Sequence, residues 1–420
     1  MLDRFAGQFL YKKRTKLSFK RPHLKFPKEG KKIQGNLWKI YLYKILEGMY
    51  FAVPIIVLYY QSNGISLAQI MILQSVCAVL IVILEIPTGY FADIYGRKKA
   101  LIIASFTAFI GITIYAFATE FLHFLFAQLF FAFTISLTSG TVSALVYDTL
   151  KSIGQEVSYK KIWGNMLFYG VLVLSLSSIF GGFLGEIDLR YPLYATIPFY
   201  ALMIPVAFLV QEPKMKKRIL KFGYVKELLN IIKLALLENK KLRWILIYSG
   251  VLFAFTLGGF WFYQPYLELT GLNIAYFGMV FAGFQIISAF SSKYAYKIEE
   301  KIGKKSSLVG LVILLGLSYL FMSNFIFLFS FLFCFLQKFV EGFKEIVVTE
   351  RINSLTEPNI RATVLSVESF VGRLIYAFII PVIGWAADLY SIEQALAIMG
   401  ITTLVSGLVI VLILKKNEAL

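Results

Sequence analysis

Apolar stretches of about twenty residues recur along the chain, each closed by a short polar or charged turn. They fall near 37–60, 68–90, 100–118, 121–147, 162–184 and 191–211, then near 243–265, 275–296, 305–322, 325–349, 361–386 and 391–414. As an α-helix, a run of this length matches the hydrocarbon thickness of a bilayer, and a helix satisfies its own backbone polar groups there. The pattern therefore predicts an all-α membrane protein with twelve transmembrane helices in two groups of six. The expected organisation is a basic tail over 1–36, a six-helix bundle over 37–211, a linker over 212–242, a second bundle over 243–414 and a short tail over 415–420. The linker carries Lys214, Lys216, Lys217, Arg218, Lys221 and Lys226, then Leu228, Leu229, Ile232 and Leu236 on one helical face. That is the pattern of a segment lying in the membrane interface.

Composition agrees with this reading and narrows it. With 58% hydrophobic and only 16% charged residues, the chain is too apolar for a soluble domain. Its net charge of +18 does not indicate nucleic acid, because a basic groove on a soluble fold would not bring so much apolar sequence. The charge marks orientation instead. Even-numbered turns hold Arg97, Lys98 and Lys99; Lys151, Lys160 and Lys161; Lys293, Lys297, Lys301, Lys304 and Lys305; and Arg351 and Arg361. Odd-numbered turns hold Glu120, then Glu186, Asp188 and Arg190, then Glu268, then Asp388 and Glu393. The Lys/Arg bias places the even turns, and both termini, in the cytoplasm. The basic amino terminus lacks the apolar core and cleavage site of a secretory signal, and the absence of an Asn-x-Ser/Thr sequon points to a prokaryotic cell membrane. Cys77 and Cys334 lie inside apolar runs as small buried hydrophobes, so no disulfide or metal framework is expected. A Walker loop is also missing, which argues against an ATP-driven pump. No enzyme and no cofactor are expected.

The two groups of six repeat one another. Gly64 and Gly271, Asp93 and Glu300, Gly96 and Gly303, Arg97 and Lys304, and Lys98 and Lys305 are all 207 positions apart. Further along the separation is 202, pairing Asp148 with Glu350, Gly170 with Gly372, Gly182 with Gly384 and Glu186 with Asp388.

The turn after the second run reads Gly89-Tyr90-Phe91-Ala92-Asp93-Ile94-Tyr95-Gly96-Arg97-Lys98-Lys99. It resembles the cytoplasmic signature of the major facilitator superfamily, a glycine followed four residues later by Asp and then by Gly-Arg-Lys. Ile94 departs from the basic residue usual there. The resemblance, with the repeat, extends over residues 37–414 and implies two bundles related by an axis along the membrane normal, with a transport path between them. It also implies that Asp93, Arg97 and Asp148 form a charge cluster closing the cytoplasmic side in the outward-open state, echoed by Glu300, Lys304 and Glu350, and that Gly89 permits close helix packing.

Charges inside the apolar runs are costly and mark candidate chemistry. Lys44 and Glu47 lie three apart on the first run; Lys338, Glu341, Lys344 and Glu345 form a ladder on the tenth; Glu368 and Arg373 sit on the eleventh. They either neutralise one another as pairs that hold helices together, or line a cavity where Glu47 or Glu341 exchanges a proton and Arg373 or Lys338 meets an anionic group. The family's cavity is lined by its first, fourth, seventh and tenth helices, which favours Glu47, Lys338 and Glu341. Gln128, Trp261, Gln264 and Gln337 are weaker cavity candidates, and Glu85-Ile86-Pro87 reads as a kink. The fifth run keeps Gly170, Gly181 and Gly182 of the glycine pattern of family antiporters but has Ser177-Ser178 where Gly-Pro is expected. The reading is a monomeric secondary transporter in contact with membrane lipids, moving a small molecule in exchange for protons, with export favoured over symport uptake. A sensor or lipid translocase on the same fold is the alternative class.

Overall fold

A computed structural model describes residues 35–213 and 230–417; the basic tail and most of the linker's basic run lie outside them. The first span is two helices, α1 (Asn36–Gly48) and α2 (Ile56–Ser62), followed by α3 (Leu67–Tyr95) and α4 (Arg97–Ala116). The fourth span is also broken, into α5 (Phe121–Thr138) and α6 (Thr141–Ser152), before α7 (Tyr159–Ile187) and α8 (Tyr191–Leu209) complete the first half. The second half comprises α9 (Lys240–Leu269), α10 (Phe277–Ile302), α11 (Lys304–Asn324), α12 (Leu332–Ser354), α13 (Arg361–Leu389) and α14 (Ile392–Lys416). The expected spans are recovered with shifts of a few residues at their ends.

Among the described residues, ten helical segments are long and apolar enough to cross a membrane. The two bundle positions outside that set are α1–α2, which is interrupted, and α12, which carries Lys338, Glu341, Lys344 and Glu345 within one apolar run. The first falls short because the break leaves two helices each too short to span, and the second because it carries charge inside its apolar run, with Lys338 and Lys344 buried.

The repeat is visible in the backbone. Gly64 and Gly271 have φ of 77° and 76°, and Gly96 and Gly303 have 105° and 87°, values that side-chain-bearing residues rarely adopt. At the same separation, Tyr59 donates its hydroxyl hydrogen bond to the turn carbonyls after α4, while Tyr266 bonds Ser330 and the Phe325 carbonyl after α11. Each tyrosine thus pins its half's first span to the loop between its third and fourth spans. Gly96 also ends α3, so Asp93 and Arg97, four apart in sequence, belong to different helices.

The halves meet through α3 against α13 and α7 against α10. Contact is tightest at glycines: a Cβ on Gly182 would lie 2.7 Å from the Ala275 carbonyl oxygen, one on Gly384 2.6 Å from Met71 Cγ, and one on Gly278 would overlap the Ser178 carbonyl. Gly278→Val should therefore cost about 1–3 kcal/mol, seen as a lower melting temperature in detergent. An unchanged melting curve would show that this contact is loose.

Candidate functional site

The two ends of the molecule differ. At the end bearing Glu186 and Asp388, the acid end, hydrogen bonds cross between the halves. Both Asp388 carboxylate oxygens accept amides at the start of α3, from Leu67 at 3.0 Å and Ala68 at 2.9 Å. The repeat-related acid Glu186 accepts from Asn273 Nδ2 at 2.9 Å, and Asn273 in turn caps the turn leading into α10. Gln264 donates to the Val53 carbonyl at 2.9 Å and accepts from the Val57 amide at 2.6 Å. A carboxylate on helix amides gains from both their unmet hydrogens and the helix dipole. At the basic end a cavity of about 290 Å³ opens between α3 and α13, lined by Glu85, Gly89, Asp93, Thr363 and Ser366 among others. Cross-half hydrogen bonds thus gather at the acid end, and a cavity opens at the basic end.

At the basic end, Arg97 forms an ion pair with buried Asp148 and donates to the Ala144 carbonyl at 2.8 Å, joining α4 to α6. Glu212, just past α8, accepts the backbone amides of Arg97 at 3.0 Å and Lys98 at 2.7 Å, capping α4. Of the expected cluster, Arg97 and Asp148 meet, while Asp93 at the end of α3 lines the cavity between the halves; Gly89 faces open space where close packing is expected, since a Cβ there would meet nothing within 4 Å. The parted halves account for the difference. In the second half Glu300, Lys304 and Glu350 are exposed, and Glu299 stands within electrostatic reach of Lys304, Glu350 and Arg351.

Between the halves lies a central cavity of about 300 Å³, walled by Tyr50, Tyr115, Phe131, Tyr200 and Phe260 and bordered by Glu47, Gln74, Cys77, Gln128 and Trp261. Lys44 and Glu47 form an ion pair within α1. Lys338 pairs with Glu341 at 2.6 Å and stands 5.8 and 5.6 Å from the ring centroids of Phe260 and Tyr263. Lys344 is buried over Phe253, and Glu368 accepts a hydrogen bond from Ser249. Gln128 and Gln74 converge on the Tyr60 hydroxyl at 2.9 and 3.4 Å. Gln337 spends its amide nitrogen on Met322 sulfur, leaving Oε1 unpartnered. Gln264 does not serve the cavity: its amide satisfies backbone groups freed by the break between α1 and α2.

The description Major Facilitator Superfamily matches residues 46–343 and, overlapping, 249–420. The chain belongs to this superfamily. It is 24% identical over 353 residues to the uncharacterized MFS-type transporter YxaM of Bacillus subtilis, covering 80% of this chain and 85% of that one. It is 22% identical over 312 residues to the uncharacterized MFS-type transporter MJ1560 of Methanocaldococcus jannaschii, covering 71% and 77%. Its fold is similar to that of the nucleoside transporter NupG, with a TM-score of 0.78 at 15% identity over 91% of this chain and 99% of that one. A bacterial homolog of the human lysosomal transporter Spinster, in an inward-facing, unoccupied conformation, has a TM-score of 0.68 at 15% identity, covering 94% and 97%.

As a superfamily member this chain is a multi-pass membrane transporter with two pseudo-symmetric six-helix bundles. Within that frame, three acids stand out that the sequence left aside. Glu212 is not singled out there and Asp388 reads as a turn charge, because each acts on a helix end remote in the chain. Glu85 reads as part of a kink, yet α3 runs on through Pro87 and Glu85 faces Arg373 across the halves.

Proposed function

We infer that the protein moves a small solute across a cell membrane by alternating access, as a monomer, driven by protons and in the direction of export. The observation that carries the reading is the asymmetry of the interface, with cross-half bonds at one end and an open cavity at the other. The Lys/Arg bias assigns the open end to the cytoplasm. Paired carboxylates inside apolar helices supply candidates for proton exchange, because a change of partner between conformations changes their proton affinity. Export is favoured by the glycine face of α7: Gly170 approaches the Lys44 carbonyl, Gly181 the Phe51 carbonyl and Gly182 α10. Uptake by symport is the second reading, favoured by Ser177-Ser178 in place of Gly-Pro.

Cys77 borders the central cavity and is a native reporter once Cys334 is replaced by Ala. In oriented proteoliposomes a membrane-impermeant maleimide should label Cys77 from both faces, faster from the cytoplasmic one. Labelling from a single face under every gradient would overturn alternating access.

A further inference from the structure

We propose that the solute is a small organic anion with an aromatic body, its acidic group received by Arg373 together with the Trp261 indole N–H and the Tyr376 hydroxyl. This rests on the transporter reading and adds the substrate class to it.

The cations near the centre differ in what they meet. Lys44 is paired with Glu47, and Lys338 with Glu341. Lys344 lies over an aromatic ring within reach of Glu341, Glu345 and Glu368. Arg373 has a single acid facing it, Glu85 from the opposite half, and the two do not meet in an ion pair among the described residues. Its Nε is buried without a hydrogen-bond partner. Tyr376, one turn along α13, is 1% exposed with its hydroxyl against the Trp261 indole, and the geometry of that contact leaves both the buried hydroxyl and the buried Trp261 Nε1 short of a well-formed hydrogen bond. Three donors lacking well-formed acceptors therefore lie within one turn of α13 and the stretch of α9 packed against it.

Their location connects them to both cavities. Arg373 is within electrostatic reach of Cys77, which borders the central cavity, and of Glu85, which borders the cytoplasmic one. Trp261 itself lines the central cavity. A buried guanidinium and two buried neutral donors are expensive to leave unmet, and a carboxylate satisfies them together: the guanidinium fork matches its two oxygens and the neutral donors take the remaining lone pairs. The rest of the wall is aromatic, with Tyr50, Phe131, Tyr200 and Phe260 suited to a flat apolar body. A cationic solute fits poorly, since Glu47 is already paired and three donors would point toward it.

The test uses three probes of one shape and different charge: 2-naphthoate, 2-naphthamide and 2-naphthylmethylammonium, titrated calorimetrically into the full-length protein in detergent. Naphthoate should bind at least about tenfold more tightly than either other probe, as a charge-assisted contact requires. Arg373→Gln should erase that preference while leaving naphthamide binding in place. Trp261→Phe keeps the ring, removes one donor and should weaken naphthoate about three- to tenfold; it keeps the proposal testable if Arg373→Gln does not fold. Equal binding of the three probes, preference for the amide or the cation, a preference that survives in Arg373→Gln, or no binding by any of them would overturn the proposal. Two-sided labelling of Cys77 requires no ligand, so failure of the substrate class is distinguishable from failure of the transporter reading.

Discussion

Replacing Asp388 with Ala should speed labelling of Cys77 from the acid face about tenfold, because it removes the carboxylate that ties the second half to the start of α3. Both Asp388 oxygens accept helix amides, at 3.0 and 2.9 Å, across the interface that must part for that face to open. A charged cap on helix amides contributes roughly 1–2 kcal/mol in a partly buried setting, and about 1.4 kcal/mol is a factor of ten in a two-state population. Glu186 and Asn273 form the related contact between α7 and α10, so Glu186→Gln should act in the same direction and more weakly, since an amide oxygen still accepts. Labelling rates equal to wild type in Asp388→Ala would mean that the close helix packing alone holds this end. Arg97→Ala should act in the opposite sense by removing the ion pair with Asp148 at the basic end, leaving Cys77 more accessible from the basic face.

The second large effect is expected at Glu47 and Glu341. Each carboxylate is ion-paired with a lysine three residues away on its own helix, inside an apolar run where charge is costly. Glu→Gln keeps the shape and removes the titrating group. At least one of the two variants should lose gradient-driven accumulation, which for one proton per solute is about tenfold per pH unit, while keeping downhill exchange. Reconstituted flux against an imposed pH step measures both. Two variants with the wild-type dependence on pH would make both pairs structural.

What the sequence revealed and what it hid follow from the range of the interactions involved. Spans were legible because about twenty apolar residues in a row have few destinations other than a bilayer, and the Lys44–Glu47 and Lys338–Glu341 pairs were legible because opposite charges three apart inside such runs are conspicuous. The repeat was legible to the level of backbone conformation, since glycines at matched positions share the same positive φ. The break between α1 and α2 was harder to see. Pro54 hints at it, but its backbone groups are satisfied by Thr196 and Gln264, far away in the chain. For the same reason Gln264 looked like a cavity residue, Asp388 like a turn charge, and Glu212 drew no notice. Glu85 was masked by its neighbour Pro87, whose local meaning is strong, whereas the residue that Glu85 faces lies on the eleventh span.

The Asp388 contact bears on how the protein is made. Leu67 leaves the ribosome 321 residues before the carboxylate that completes the start of α3. A ribosome-bound fragment ending after α8 would therefore hold a full set of six spans whose second helix begins with unmet amides at the water-facing edge. Ser66 and Gln69 cap that helix locally, but the acceptor for its first two amides arrives only when the eleventh span inserts, so the acid end of the transporter is sealed by one of the last helices synthesised.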